Sequence, residues 1–118
     1  MEIEIYIEEA SLESVMLWVK SCVEIISSKI MDDDMEVFDV VYEGEKFPVT
    51  VQPIPDRPPC IGVWFNGEKT PWKSDVECAR AAHKNLGVPV LCDPGEEYPL
   101  PQQFLKITKT GESVVCVD

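Results

Sequence analysis

The first eight residues alternate between apolar and polar side chains. Every second residue from Ile3 to Ile7 is an isoleucine, and the residues between and beside them are glutamates and one tyrosine. A period of two is typical of a β-strand that is buried on one face only. We therefore predict a strand over residues 2–8 whose outer face is lined with carboxylates.

From residue 11 the apolar spacing changes to three and four. Ser11 is a suitable N-cap, and the pattern predicts a helix from there to about Met31. The apolar stripe on which this prediction depends is Leu12, Val15, Met16, Val19, Cys22, Val23, Ile26 and Ile30. Trp18 and Ile25 widen the stripe, so we expect this helix to be deeply packed.

The middle of the chain is rich in β-branched and aromatic residues. Residues 37–42 and 47–52 are predicted to form a hairpin around a turn at 43–46, and residues 61–65 a further strand. Four prolines within residues 53–59 exclude a central strand or a helix there. We expect that segment to be a stiff connector.

A second helix is marked at both of its ends. Ser74 and Glu77 have the spacing of a capping box, and Asp75 adds negative charge to the first helical turn. Gly87 is a suitable left-handed stop. A buried strand is predicted over residues 88–92, and Asp93-Pro94-Gly95 forms the turn that ends it.

The chain closes with a predicted hairpin, residues 103–108 and 113–117. The element order is β-α-β-β-β-α-β followed by this hairpin. It predicts one α+β domain over residues 1–118, with two helices packed on a largely antiparallel sheet of about five to seven strands. A ferredoxin-like variant fits this order, and a curved antiparallel sheet with both helices on one face is the alternative.

Charge is the most unusual global property. Asp and Glu number 22 against 10 Lys and Arg, for a formal net charge of -12. Such a chain is repelled by nucleic acid and by anionic lipid, so we expect neither as a partner. A basic protein would be attracted, while solubility alone is the competing explanation of the charge. No apolar run has the length of a membrane span and no signal-peptide pattern is present, so a cytoplasmic protein is expected.

Candidate chemistry is sparse. The five cysteines are scattered without a CxxC pair, which argues against a disulfide framework. His83 is the only histidine, and its place on the helical stripe favours a structural role. A pocket around His83, Cys92, Asp93 and Trp64 is the alternative that would make the protein a small enzyme or ligand-binding domain. We expect no cofactor, because the chain has no GxGxxG or P-loop motif, and no metal, because Asp32-Asp33-Asp34 lacks the remainder of a calcium loop.

Two stretches in the second half, SDVECARAAHKNLGVPVLCDPG and FLKITKTGESVVCVD, resemble small immunity proteins of bacterial polymorphic toxin and contact-dependent inhibition systems. The resemblance implies a cytoplasmic protein that is not an enzyme and that occludes one cognate toxin. A nuclease toxin would have a basic cleft, and acidic loops with nearby aromatic residues are the surfaces expected to meet it. Those candidate contact residues are Asp32, Asp33, Asp34, Glu43, Glu45, Trp64, Trp72, Glu96, Glu97 and Tyr98. A structural or regulatory subunit of a larger assembly is the other alternative.

Overall fold

A computed structural model describes residues 2–31, 34–54, 60–95, 98 and 100–116. The elements are β1 (Glu2–Glu8), α1 (Leu12–Cys22), β2 (Glu24–Ile30), β3 (Glu36–Tyr42), β4 (Glu45–Pro53), β5 (Cys60–Asn66), α2 (Asp75–Leu86), β6 (Val90–Cys92), β7 (Gln103–Thr108) and β8 (Gly111–Cys116). The predicted α+β class is confirmed, with two helices on an antiparallel sheet. Within these residues the sheet has eight strands, so the predicted five to seven was too few.

The first strand of the chain lies in the interior of the sheet. The strand order is β2-β3-β4-β5-β1-β6-β7-β8, and β1 pairs antiparallel with both of its neighbours. Ile5 stands opposite Val63 of β5 on one side and opposite Cys92 of β6 on the other. The predicted alternation of β1 is confirmed, since Ile3, Ile5 and Ile7 are all fully buried.

The additional strand comes from the predicted first helix, which ends at Cys22 rather than near Met31. Val23 already has the extended dihedral angles φ -139° and ψ 156°. Ile26 and Ile30, which we expected inside, are 51% and 75% exposed. Isoleucine suits a strand as well as a helical stripe, and pairing with β3 decides in favour of the strand.

The ends of α2 agree with the prediction. The Ser74 hydroxyl accepts a hydrogen bond from the Glu77 backbone N–H at 3.2 Å. Gly87 adopts the left-handed φ of 70°, and its N–H donates to the His83 carbonyl. Neither described helix, of 11 and 12 residues, is long and apolar enough to cross a bilayer.

The core lies between one face of the sheet and both helices. Val15, Trp18 and Val19 of α1 and Cys78, Ala79 and Ala82 of α2 join the buried side chains of the strands in one cluster. Because the three buried isoleucines of β1 share a single face, both helices cover that same face. The opposite face carries mostly exposed and half-buried side chains, although Leu91, opposite Tyr6, and Cys60, opposite Glu8, are buried on it.

Three aromatic rings hold the helices and the loop before α2 together. The indole of Trp18 stacks on Trp72 with ring centroids 5.6 Å apart. Phe65 meets Trp18 and Trp72 edge-on at 6.1 and 5.0 Å. Trp72 lies just before the Ser74 cap, so this cluster positions the beginning of α2.

The predicted proline-rich connector falls mostly outside the described residues. Pro53 ends β4, and the Ile54 backbone N–H donates to the Cys60 carbonyl at 2.9 Å. Residues 55–59 lie outside the described part of the chain, so their predicted stiffness stays a prediction.

Candidate partner-binding groove

A groove opens where β6 stops pairing with β1. Strand β6 has only three residues because Asp93-Pro94-Gly95 turns the chain away, with a Gly95 φ of 104°. The Gly95 backbone N–H donates to the Asp93 carboxylate at 2.8 Å and fixes that turn. Within the described residues, the beginning of β1 therefore has no strand beside it on the β6 side. The resulting space measures about 990 Å³.

We call this space the acidic groove. Its lining residues are Glu2, Glu4, Tyr6, Ser74, Asp75, Val76, Asp93, Pro94, Gly95, Tyr98, Leu100, Pro101, Gln103 and Phe104. Four of them are carboxylates, and none of the described lining residues is a lysine or an arginine. The groove therefore offers uncompensated negative charge to a ligand.

Aromatic rings form the apolar part of the same groove. Tyr6 and Phe104 meet edge-on with ring centroids 5.8 Å apart. The Tyr6 hydroxyl donates to Glu4 Oε1 at 2.7 Å, which holds that carboxylate beside the rings. Tyr98 is 38% exposed, and its backbone N–H donates to the Gly95 carbonyl at 3.1 Å. Carboxylates beside aromatic faces suit an organic cation.

Asp75 is the carboxyl group that the groove perturbs most. The pKa of Asp75 is raised from its ordinary 3.8 to about 6, mainly by burial and to a smaller extent by the nearby Asp93 and Glu4 carboxylates. A hydrogen bond from the Glu4 backbone N–H acts in the opposite direction. This hydrogen bond between the Asp75 side chain and the backbone of β1 holds the beginning of α2 against the sheet.

The raised pKa of Asp75 makes stability depend on pH. A carboxyl group whose pKa is higher in the folded state stabilises the fold below its unfolded pKa, and this contribution is lost as the pH rises through the folded value. The unfolding free energy of the wild type should therefore fall between about pH 4 and pH 7. In Asp75→Asn this fall should be smaller by about 1 kcal/mol, a value reduced by solvent screening of the half-buried carboxylate.

Urea denaturation at the two pH values measures this difference. Glu77→Gln is the matched control, because it removes the same charge from an exposed position in the same helical turn. If the unfolding free energy depends on pH equally in the wild type and in Asp75→Asn, the pKa of Asp75 is not raised in the folded state.

The structure separates the predicted contact residues. Tyr98 lines the acidic groove, and Trp64 stands on the outer face of the sheet opposite Glu4 and Thr50. Trp72 is half-buried in the aromatic cluster, where its packing gives it a structural role.

The predicted acidic contacts lie at two ends of the sheet. Glu43 and Glu45 are at the turn between β3 and β4, and Glu45 lines a second groove of about 420 Å³ that shares Glu2 with the acidic groove. Asp34 is at the far end of β3, about 23 Å away along a seven-residue strand. Asp32, Asp33, Glu96 and Glu97 lie outside the described residues.

Glu2, Glu4, Asp75 and Asp93 were absent from the predicted contact set. The sequence analysis placed Glu2 and Glu4 on the outer face of a strand, Asp75 in the first turn of a helix and Asp93 in the turn after a strand. Only the pairing of β1 with β6 brings these segments together. No local pattern in the sequence carries that information, although the Asp-Pro-Gly turn does mark where β6 ends.

His83 has a structural partner. Its Nδ1 lies 2.8 Å from the Val88 carbonyl oxygen, which can only accept, so Nδ1 carries the proton. The bond ties α2 to the chain entering β6. His83 lines neither of the two grooves described above.

The five cysteines are free thiols, and three of them have a raised pKa. Cys60, Cys78 and Cys92 are buried, and burial raises the pKa of Cys92 to about 12. Burial also raises the pKa of Cys78 and of Cys22. A thiol with a raised pKa is a poor nucleophile near neutral pH. Among the described residues, no group of three His, Cys, Asp or Glu side chains is arranged to hold a metal ion.

Comparisons of the chain with protein-family models, with curated proteins and with solved structures found no match.

Proposed function

We propose that the protein is a non-catalytic cytoplasmic immunity protein that binds a basic, nuclease-like toxin and occludes its cleft. The acidic groove carries this proposal. It joins four carboxylates and two packed aromatic rings, and its described lining contains no lysine or arginine. The net charge of -12 supports the same partner class.

The groove suits a lysine or arginine side chain of the partner. The cation would lie between Glu4 and Asp93 and against the ring of Tyr6 or Phe104, which combines ion pairing with a cation–π contact. The surplus negative charge of the whole chain would accelerate the encounter with a basic surface. Both contributions weaken as salt is added.

We also infer that the scaffold is a ferredoxin-like variant. The order β4-β5-β1-β6 in the middle of the sheet supports this, with α2 connecting β5 to β6 across β1 and α1 following β1. The hairpins β2-β3 and β7-β8 then extend the sheet at its two edges.

Expression of the neighbouring genes tests the proposal. Each gene that flanks the gene of this protein would be induced in a bacterial host, with and without co-expression of this protein. We expect one product to arrest growth and this protein to restore it. If no flanking product is toxic, or if toxicity persists when this protein is present and soluble, the immunity role is wrong.

Paired charge-neutralising variants test the groove. Glu4→Gln with Asp93→Asn keeps acceptors for the Tyr6 hydroxyl and the Gly95 N–H while it removes two charges from the groove. We expect calorimetric titration with a deca-arginine peptide to show an affinity about tenfold weaker than that of the wild type. The toxin, once identified, should show the same ratio.

Glu9→Gln with Glu13→Gln is the matched control. It makes the same change in net charge at two exposed positions beyond the opposite end of β1. The control should bind the peptide within about twofold of the wild type, because exposed charges this distant are screened. Equal losses in the two double variants would show a general charge effect and no groove.

A further inference from the structure

Strand β2 is an edge of the sheet and carries exposed apolar side chains. It is the terminal strand in the order, so one side of its backbone has no strand partner within the described residues. Ile26, Ile30 and Met31 follow one another along this edge and are 51%, 75% and 41% exposed. An edge of this kind is a template for pairing with another strand.

A β-bulge gives this edge a symmetric charge pattern. Glu24, Ser27 and Lys29 stand opposite residues 41, 39 and 37 of β3. These are alternate positions of β3, so the three side chains share one face. The register shift between Ile25 and Ser27 produces this arrangement, because residues five apart in a regular strand face opposite ways. Glu24 and Lys29 therefore lie on either side of Ser27, each two residues of β3 away from the position opposite Ser27.

We propose that two copies of this chain associate through β2, antiparallel, with Ser27 of one copy opposite Ser27 of the other. This register places Glu24 of each copy opposite Lys29 of the other, so the symmetry creates two cross-strand ion pairs. It joins the two sheets into one continuous sheet, with the helices of both copies on the same face. Ile30 of each copy is brought beside the start of β2 of the other.

The charge of β2 favours a second copy as the occupant. The strand contains one acid and one base and is neutral, in a chain of net charge -12. A basic partner would gain little from a neutral strand, whereas a strand with this pattern complements itself. Two chains of this charge repel at low ionic strength, and salt screens that repulsion. Self-association should therefore strengthen from 20 to 150 mM salt, the opposite of binding to a basic partner.

Sedimentation velocity of the purified full chain from micromolar to millimolar concentration tests the proposal. We expect a concentration-dependent dimer in the wild type. Lys29→Glu places acid opposite acid at both pairs, and Glu24→Lys places base opposite base. Each should weaken the dimer about tenfold. The double variant Glu24→Lys with Lys29→Glu restores both pairs in reverse and should return to within threefold of the wild type.

Lys20→Glu is the matched control, because it makes the same charge change at an exposed position in the last turn of α1. It should leave the dimer within twofold of the wild type. A wild type that stays monomeric throughout would overturn the proposal. A dimer that Lys29→Glu and Lys20→Glu weaken equally, or that the double variant does not restore, would overturn it as well. Circular dichroism verifies that each variant is folded.

Discussion

Replacing Trp18 with alanine is expected to lower the free energy of unfolding by about 3–5 kcal/mol. The indole is 3% exposed and contacts both Phe65 and Trp72, so its removal leaves a cavity and two aromatic contacts unmade. The loss extends beyond α1, because Trp72 positions the chain just before the Ser74 cap. We expect the beginning of α2, and with it Asp75, to become less ordered.

Urea denaturation at neutral pH measures the stability change, and hydrogen exchange at the first turn of α2 measures the local effect. Leu17→Ala is the control, since this neighbouring side chain is 62% exposed and should change stability by less than about 0.5 kcal/mol. Similar losses in the two variants would contradict the assignment of Trp18 as the residue that joins α1 to the core.

Replacing Gly67 with alanine is expected to destabilise the protein by about 2 kcal/mol through overpacking. An added Cβ would lie closer than 3.0 Å to three ring atoms of Phe47. The ring is 5% exposed and enclosed by the core, so it has little room to move away. The requirement for glycine at this position is therefore steric and does not arise from an unusual φ.

A double-mutant cycle isolates this contact. In a Phe47→Ala background, the ring is absent and Gly67→Ala should cost less than about 0.5 kcal/mol. The four unfolding free energies are measured by denaturant titration under one condition. If Gly67→Ala costs the same with and without the ring, its effect has another origin, and the overlap with Phe47 is not the reason for the glycine.

The sequence predicted the elements that carry their own end signals. β1 was recovered over the same residues because its alternation is strict, and α2 because Ser74 and Gly87 mark its two ends. The hairpin of β3 and β4 and the strand β5 were recovered to within one or two residues for the same reason. In each of these elements, local propensity and tertiary packing favour the same conformation.

The failure at β2 is equally physical. Residues 23–30 satisfy helical spacing, and no glycine or proline marks the end of α1. The β-branched side chains Val23, Ile25 and Ile26 also suit a strand, and only the presence of β3 as a partner decides between the two. Because β2 replaced the second half of a helix, this single error accounts for the additional strand.

The acidic groove was beyond reach from the sequence because its carboxylates come from three separated segments. Glu4, Asp75 and Asp93 meet only because α2 connects two strands that lie on either side of β1. The acidic character of the chain was readable from composition, but the place where this charge meets aromatic rings depends on long-range pairing. The locally acidic loop that contains Asp34 lies at the far end of β3, away from the groove.

The interior position of β1 has a consequence for how the chain folds. Strand β1 is synthesised before both of its partners, so it cannot complete its pairing until residues 60–66 and then 90–92 have been synthesised. Strands β2 to β5 are neighbours in sequence and can pair as successive hairpins, whereas β1 must close a loop from position 5 to position 63. We therefore expect refolding in milliseconds to seconds, with docking of the amino-terminal strand as the slow step, despite the two helices.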